Sequence, residues 1–108
     1  MTFEDHVRAA IDSLPPEVAA ALRNIAIVVR DENPDDPDLL GLYEGIPLPE
    51  RGDDAGSLPD TITIYRRPLE ADFSDPDELQ REIRITVLHE IGHYFGLDEE
   101  RLAELGYE

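Results

Sequence analysis

The 108-residue sequence predicts an α+β domain. Two observations carry that reading. Amphipathic helical periods occupy both ends of the chain, and two strand patterns, at residues 25–29 and 61–65, lie between them. A chain of this length forms one domain, residues 1–108, around one modest core. Nine basic residues against 26 acidic ones leave a formal charge of −17. Such a surface repels phosphate backbones and anionic membranes, so no nucleic-acid partner is expected. The 41% of hydrophobic residues fall in periodic runs, which argues for folding over disorder. There is no cysteine, hence no disulfide framework and no thiolate metal site. No apolar run reaches the length of a membrane span, and the N-terminus is acidic and amphipathic rather than signal-like. A cytoplasmic protein without a membrane partner is therefore expected.

The elements follow in order. Residues 2–14 form an amphipathic helix, with Thr2 as cap, Asp5 answering it, and Phe3, Val7, Ala10, Ile11 and Leu14 as the buried stripe. His6 reads as a lone surface histidine. Pro15 and Pro16 stop this helix and open another, whose inner face is Val18, Ala21 and Leu22. Residues 25–29 are apolar on both faces and read as a central strand. The acidic run at 31–38 lacks the glycine and alternating ligands of a calcium loop and reads as a solvated loop. Leu40, Leu42 and Tyr43 suit a short strand before Gly45, and residues 46–60 a surface loop. Thr61, Ile62, Thr63, Ile64 and Tyr65 alternate, with Ile62 and Ile64 inward; Pro68 beyond them suggests a sheet edge. Ser74 or Asp75 caps a main helix running to about Phe95, with Pro76 in its first turn. Leu79, Ile83, Val87, Ile91 and Tyr94 form its inner face. Gly92 leaves room for another backbone to approach. Gly96 is placed as a left-handed stop, and Asp98 caps a last short helix closed by Gly106.

The chemistry concentrates in His89-Glu90-Ile91-Gly92-His93-Tyr94-Phe95-Gly96. Histidines four residues apart on a helix lie about 40° apart around the axis and one turn along it. They can hold one metal ion from a single rigid element. Glu90 lies beside such an ion rather than on it, the position of the general base in H-E-x-x-H zinc hydrolases. A catalytic zinc needs a third protein ligand. The reversal at Gly96 brings residue 99 back toward the histidines, so Glu99 is the candidate, with the adjacent Asp98 as the alternative. Two histidines and a carboxylate suit Zn2+, and also accommodate manganese, cobalt or iron.

With Ile85-Thr86-Val87-Leu88 before this motif, and Leu97-Asp98-Glu99-Glu100-Arg101-Leu102 and Leu105-Gly106-Tyr107 after it, the chain resembles the small bacterial zincin-like metallopeptidases, or mini-zincins. The likeness extends to Leu42-Tyr43-Glu44-Gly45 and Ile62-Thr63-Ile64-Tyr65. It implies a minimal zincin-like fold: a short mixed β-sheet packed on an active-site helix and flanking helices, with that helix beneath an edge strand. It further implies His89 and His93 as zinc ligands and Glu90 as base. The family pattern usually has aspartate at the position of Glu99. Larger relatives support the metal with a methionine turn, whereas the sole methionine here is Met1. Tyr107 is a candidate for that support. A reversal at Gly106 would return it beneath the metal, its ring packed and its hydroxyl bonded to a ligand.

The leading expectation is a zinc metallopeptidase, a hydrolase of peptide or protein substrates. The substrate lies along an exposed strand edge, for which residues 61–65 are the candidate. Tyr65, Tyr94 and Arg66 are candidate oxyanion stabilisers that also have ordinary structural roles. Two alternatives stay open: a zincin-fold binding module with an idle site, and a metal-dependent endoribonuclease. Bacterial endoribonucleases of similar spacing carry glycine after the first histidine and histidine as third ligand, so Glu90, Glu99 and the net charge oppose the second. Open sheet edges leave room for a homodimer.

Overall fold

The computed structural model describes residues 2–22, 25–45 and 60–107. The elements run α1 (Phe3–Asp12), α2 (Pro16–Ala21), β1 (Ile25–Arg30), β2 (Gly41–Glu44), β3 (Asp60–Tyr65), α3 (Arg66–Asp72), α4 (Pro76–Tyr94) and α5 (Glu99–Leu105). The fold is α+β, a mixed three-stranded sheet laid on α4 with α1 alongside. The loop read at 46–60, apart from Asp60, and the side chain of Ala21 lie outside the described residues.

Local chemistry starts and stops the helices. The Thr2 hydroxyl accepts the Asp5 N–H at 3.2 Å, and the Asp5 carboxylate accepts the Thr2 N–H at 3.0 Å. This capping box holds the Asp5 carboxyl below the usual carboxylate range. Asp75 caps α4 by accepting the Glu78 N–H at 3.0 Å. Asp98 does the same for α5 through Arg101 N–H at 2.8 Å. Each satisfies a backbone donor that the first helical turn would otherwise strand.

The sheet order is β1-β3-β2, with β1 parallel and β2 antiparallel to β3. The central strand is therefore 60–65, and 25–30 is an edge, the reverse of the order read from sequence. Alternation reports which face of a strand is covered, not which strand lies in the middle. Ile62 and Ile64 are completely buried against the helices. Thr61, Thr63 and Tyr65 lie on the opposite face and supply the polar half of the pattern. Pro68 marks no edge either. It falls in the first turn of α3, a helix the sequence reading did not include, where a missing N–H has no intrahelical partner to lose.

The core lies between the sheet and α4. Leu79, Ile83, Val87, Ile91 and Tyr94 are buried along one side of α4, and Phe3, Val7 and Ala10 of α1 join them. His6 is buried rather than superficial, with Nδ1 3.3 Å from the Gln80 side-chain oxygen. Gly92 admits a side chain, not a backbone: the Leu102 methyl of α5 fills the space a Cβ would take. The 31–38 loop is pinned to the start of α3. Arg66 pairs with Asp31 at 2.8 Å, lowering the Asp31 pKa, and Asn33 donates to the Tyr65 hydroxyl at 3.0 Å.

Candidate metal centre and catalytic site

Helix α4 delivers His89, Glu90 and His93 from consecutive turns. The two imidazole rings meet edge to face, and their Nε2 atoms are 3.2 Å apart. Their Nδ1 atoms are both engaged by main-chain carbonyls. His93 Nδ1 lies 3.2 Å from Leu97 O, and His89 Nδ1 lies 2.5 Å from Tyr107 O. A carbonyl only accepts, so each neutral ring carries its proton on Nδ1 and presents a lone pair at Nε2. That is the tautomer a metal ligand requires.

Both carbonyls follow a glycine in the left-handed region, Gly96 at φ 85° and Gly106 at φ 83°. At the first, Gly96 N–H donates to His93 O at 3.0 Å and Leu97 N–H to Gly92 O at 2.9 Å. At the second, Tyr107 N–H donates to Leu102 O at 2.9 Å. Each bond set closes a helix end and leaves the next carbonyl aimed at an imidazole. One type of turn is thus used twice, once for each histidine.

The first reversal also presents Glu99. Its carboxylate oxygens lie 2.9 Å from His93 Nε2 and 3.3 Å from His89 Nε2. Among the described residues, His89, His93 and Glu99 are the group able to hold a metal ion, with ligand atoms within 4.8 Å of one another. The spacing fits zinc: a tetrahedral ion with nitrogen bonds of about 2.0–2.1 Å holds its ligand nitrogens about 3.3–3.4 Å apart. Asp98 is not in the group, because its carboxylate is committed to capping α5. The Glu99 side chain is 71% exposed against 19% for His89 and 29% for His93. The site is closed by α4 on one side and open to solvent on the other.

Glu90 is buried beside this group at 7% exposure. Burial raises its pKa above the usual carboxylate value, while His89, His93 and a hydrogen bond from the Tyr43 main-chain N–H oppose the shift. That N–H comes from β2, the strand running over α4. Tyr65 N–H donates to Leu40 O at 3.0 Å, so in the antiparallel register Leu40 and Leu42 bond to β3 while Gly41 and Tyr43 turn outward. Gly41 brings the strand close: a Cβ there would lie 2.6 Å from Thr86 Cγ2 and 3.4 Å from Glu90 Cγ. A cleft of about 310 Å³ runs between α4 and the segment 36–41 that leads into β2, and ends at His89 and Glu90.

The profile of the zincin-like metallopeptidases matches residues 22–107. The chain belongs to this family. No curated protein matches it significantly. The zincin-like segment takes in the whole sheet, α4, α5 and the Tyr107 carbonyl, and leaves α1 outside.

Some expectations for this zincin-like site change. Tyr107 reaches His89 through its main-chain oxygen, not its hydroxyl, while its ring packs on the core. The edge strand above the motif is β2, so residues 61–65 are not available as a substrate edge. Tyr65 packs away from the site against Asn33, Arg66 is paired with Asp31 and Glu70, and Tyr94 stacks edge-on with Tyr43. Gly41, a further residue of this region, does carry a sequence signal, because an isolated strand glycine marks close backbone approach. The two carbonyls leave no side-chain signal to find. No helix among the described residues is long and apolar enough to cross a membrane.

Proposed function

We propose that this zincin-like protein is a zinc-dependent peptidase in which His89, His93 and Glu99 hold the ion and Glu90 is the general base. One observation carries the reading: two Nε2 lone pairs and a carboxylate converge beside a buried glutamate, at the end of a cleft bordered by a strand edge. Bound zinc supplies Lewis acidity toward the scissile carbonyl and the attacking water. Glu90 takes the proton of that water and hands it to the leaving amine. The Tyr43 N–H fixes the carboxylate in place. The outward-turned main chain of Gly41 offers hydrogen bonds to an extended peptide laid along β2, with the substrate as an added strand.

The test is hydrolysis of a mixed peptide library by zinc-loaded protein, with Glu90→Gln as control. Cleavage by the native chain and none by a variant of equal zinc content is the expected result. Intact peptides that nevertheless bind the native chain would instead make it a binding module with an idle centre.

A further inference from the structure

We propose that the cleft between α4 and the segment 36–41 is a subsite for a lysine or arginine side chain flanking the scissile bond. This deepens the peptidase reading above and rests on it. The cleft, about 310 Å³ in volume, is in the range of pockets that enclose small ligands. Its inner end is formed by His89 and Glu90. A side chain that fills it therefore belongs to a residue next to the bond being cut.

The walls carry two chemistries. Half-buried Leu39, Leu40 and Ile85, with the methyl of buried Thr86, make an apolar channel. Asp36, Asp38 and Glu82 line the same cleft at its more exposed part. Among the described residues these three carboxylates have no basic partner, whereas Asp31, Glu32 and Glu70 nearby are each paired with Arg66 or Arg67. Glu82, Ile85, Thr86 and His89 recur at helical spacing, so one face of α4 carries the anionic end, the apolar channel and a metal-group histidine in sequence. A long aliphatic stem ending in a cation matches both zones: the stem covers the leucines and isoleucine while the charge meets the carboxylates. A purely aliphatic chain would desolvate those carboxylates without compensation, and an acidic one would be repelled by them.

The probe is an alanine-based hexapeptide with one central lysine, beside its norleucine counterpart. With zinc-loaded protein the lysine peptide should be cut next to lysine, with kcat/KM about 10-fold or more above the norleucine peptide. The triple variant Asp36→Asn, Asp38→Asn, Glu82→Gln should abolish that ratio and leave cleavage of the norleucine peptide in place. Neutralising three exposed acids outside the cleft lining and off α4 (Glu4→Gln, Asp12→Asn, Asp72→Asn) should leave the ratio intact, which separates the subsite from the general negative field. Equal cleavage of the two peptides, or a preference that survives the cleft triple variant, overturns the proposal.

A binding measurement separates this proposal from the peptidase reading. Fluorescence anisotropy of both labelled peptides on the Glu90→Gln protein decides the case in which neither is cut. Tighter binding of the lysine peptide, lost in the cleft triple variant, would uphold the subsite while the peptidase reading falls. Equal binding would remove both.

Discussion

The main-chain carbonyl of Tyr107 accepts the Nδ1–H of His89, so the penultimate residue of the sequence orients a side chain eighteen positions earlier. Leu97 does the same for His93 from only four positions away. The near contact is set by one helix end. The far one depends on α5 being packed in place, through Leu102 buried against Gly92. It is therefore the more vulnerable of the two.

Removing residues 107–108 should lower zinc affinity by about 10-fold or more, the usual cost of losing a partner that orients a ligand. Tyr107→Phe should bind zinc as the native chain does, because the carbonyl and not the hydroxyl makes the bond. Zinc titrations against a competing chelator compare the three proteins. A loss in Tyr107→Phe equal to that of the truncation would move the role to the hydroxyl.

Glu99→Ala should weaken zinc binding more than Asp98→Ala, since only Glu99 faces both Nε2 atoms. Asp98→Ala should instead destabilise the fold by about 1 kcal/mol through loss of its cap on α5. Zinc titration and thermal melts of the two variants would show opposite orders. A larger affinity loss in Asp98→Ala would transfer the ligand role.

Glu90→Gln should keep zinc within a few-fold of native affinity and lose about 10²–10⁴ in hydrolytic rate, the range for removal of a general base. His89→Ala and His93→Ala should lose the metal itself. Metal content after dialysis against trace zinc, measured beside peptide turnover, distinguishes these outcomes. Glu90→Gln protein as metal-poor as the histidine variants would mean that Glu90 is a ligand.

Gly41→Ala should cost about 1–3 kcal/mol, the range for overpacking a tight contact. The new methyl would meet Thr86 Cγ2, a β-branched side chain held by its hydroxyl bond to Glu82 O at 2.8 Å. Adding Thr86→Ser removes the opposing methyl and keeps that bond, so the double variant should regain stability. Denaturant melts of the single and double variants form the cycle. Strictly additive losses would show that the two residues do not press on each other.

The sequence by itself determined whatever depends on neighbours within about one helical turn. The Thr2–Asp5 box, the Asp75 and Asp98 caps and the turn at Gly96 are contacts over three to five positions. Their side chains or their glycine announce them. The placing of His89, Glu90 and His93 on one helix follows from the same short-range periodicity, and the turn at Gly96 carries Glu99 back toward the two imidazoles. The inward faces of 61–65 and of the long helix were equally readable, because burial on one side leaves a period of two or of 3.6.

Tertiary structure decided the rest. The exchange of centre and edge between 25–30 and 60–65 arises because 60–65 pairs on both sides, with partners 35 residues away in β1 and 17 to 23 away in β2, and a strand's own alternation is blind to its place in the sheet. The same holds for Gly41 and Tyr43 meeting Glu90, more than forty positions away. His6 looked superficial because its burial depends on Gln80, an element the local pattern does not contain. The Tyr107 carbonyl left least trace of all. Every residue but proline carries the same N–H and C=O, so a main-chain oxygen acquires a particular role only from where the fold places it.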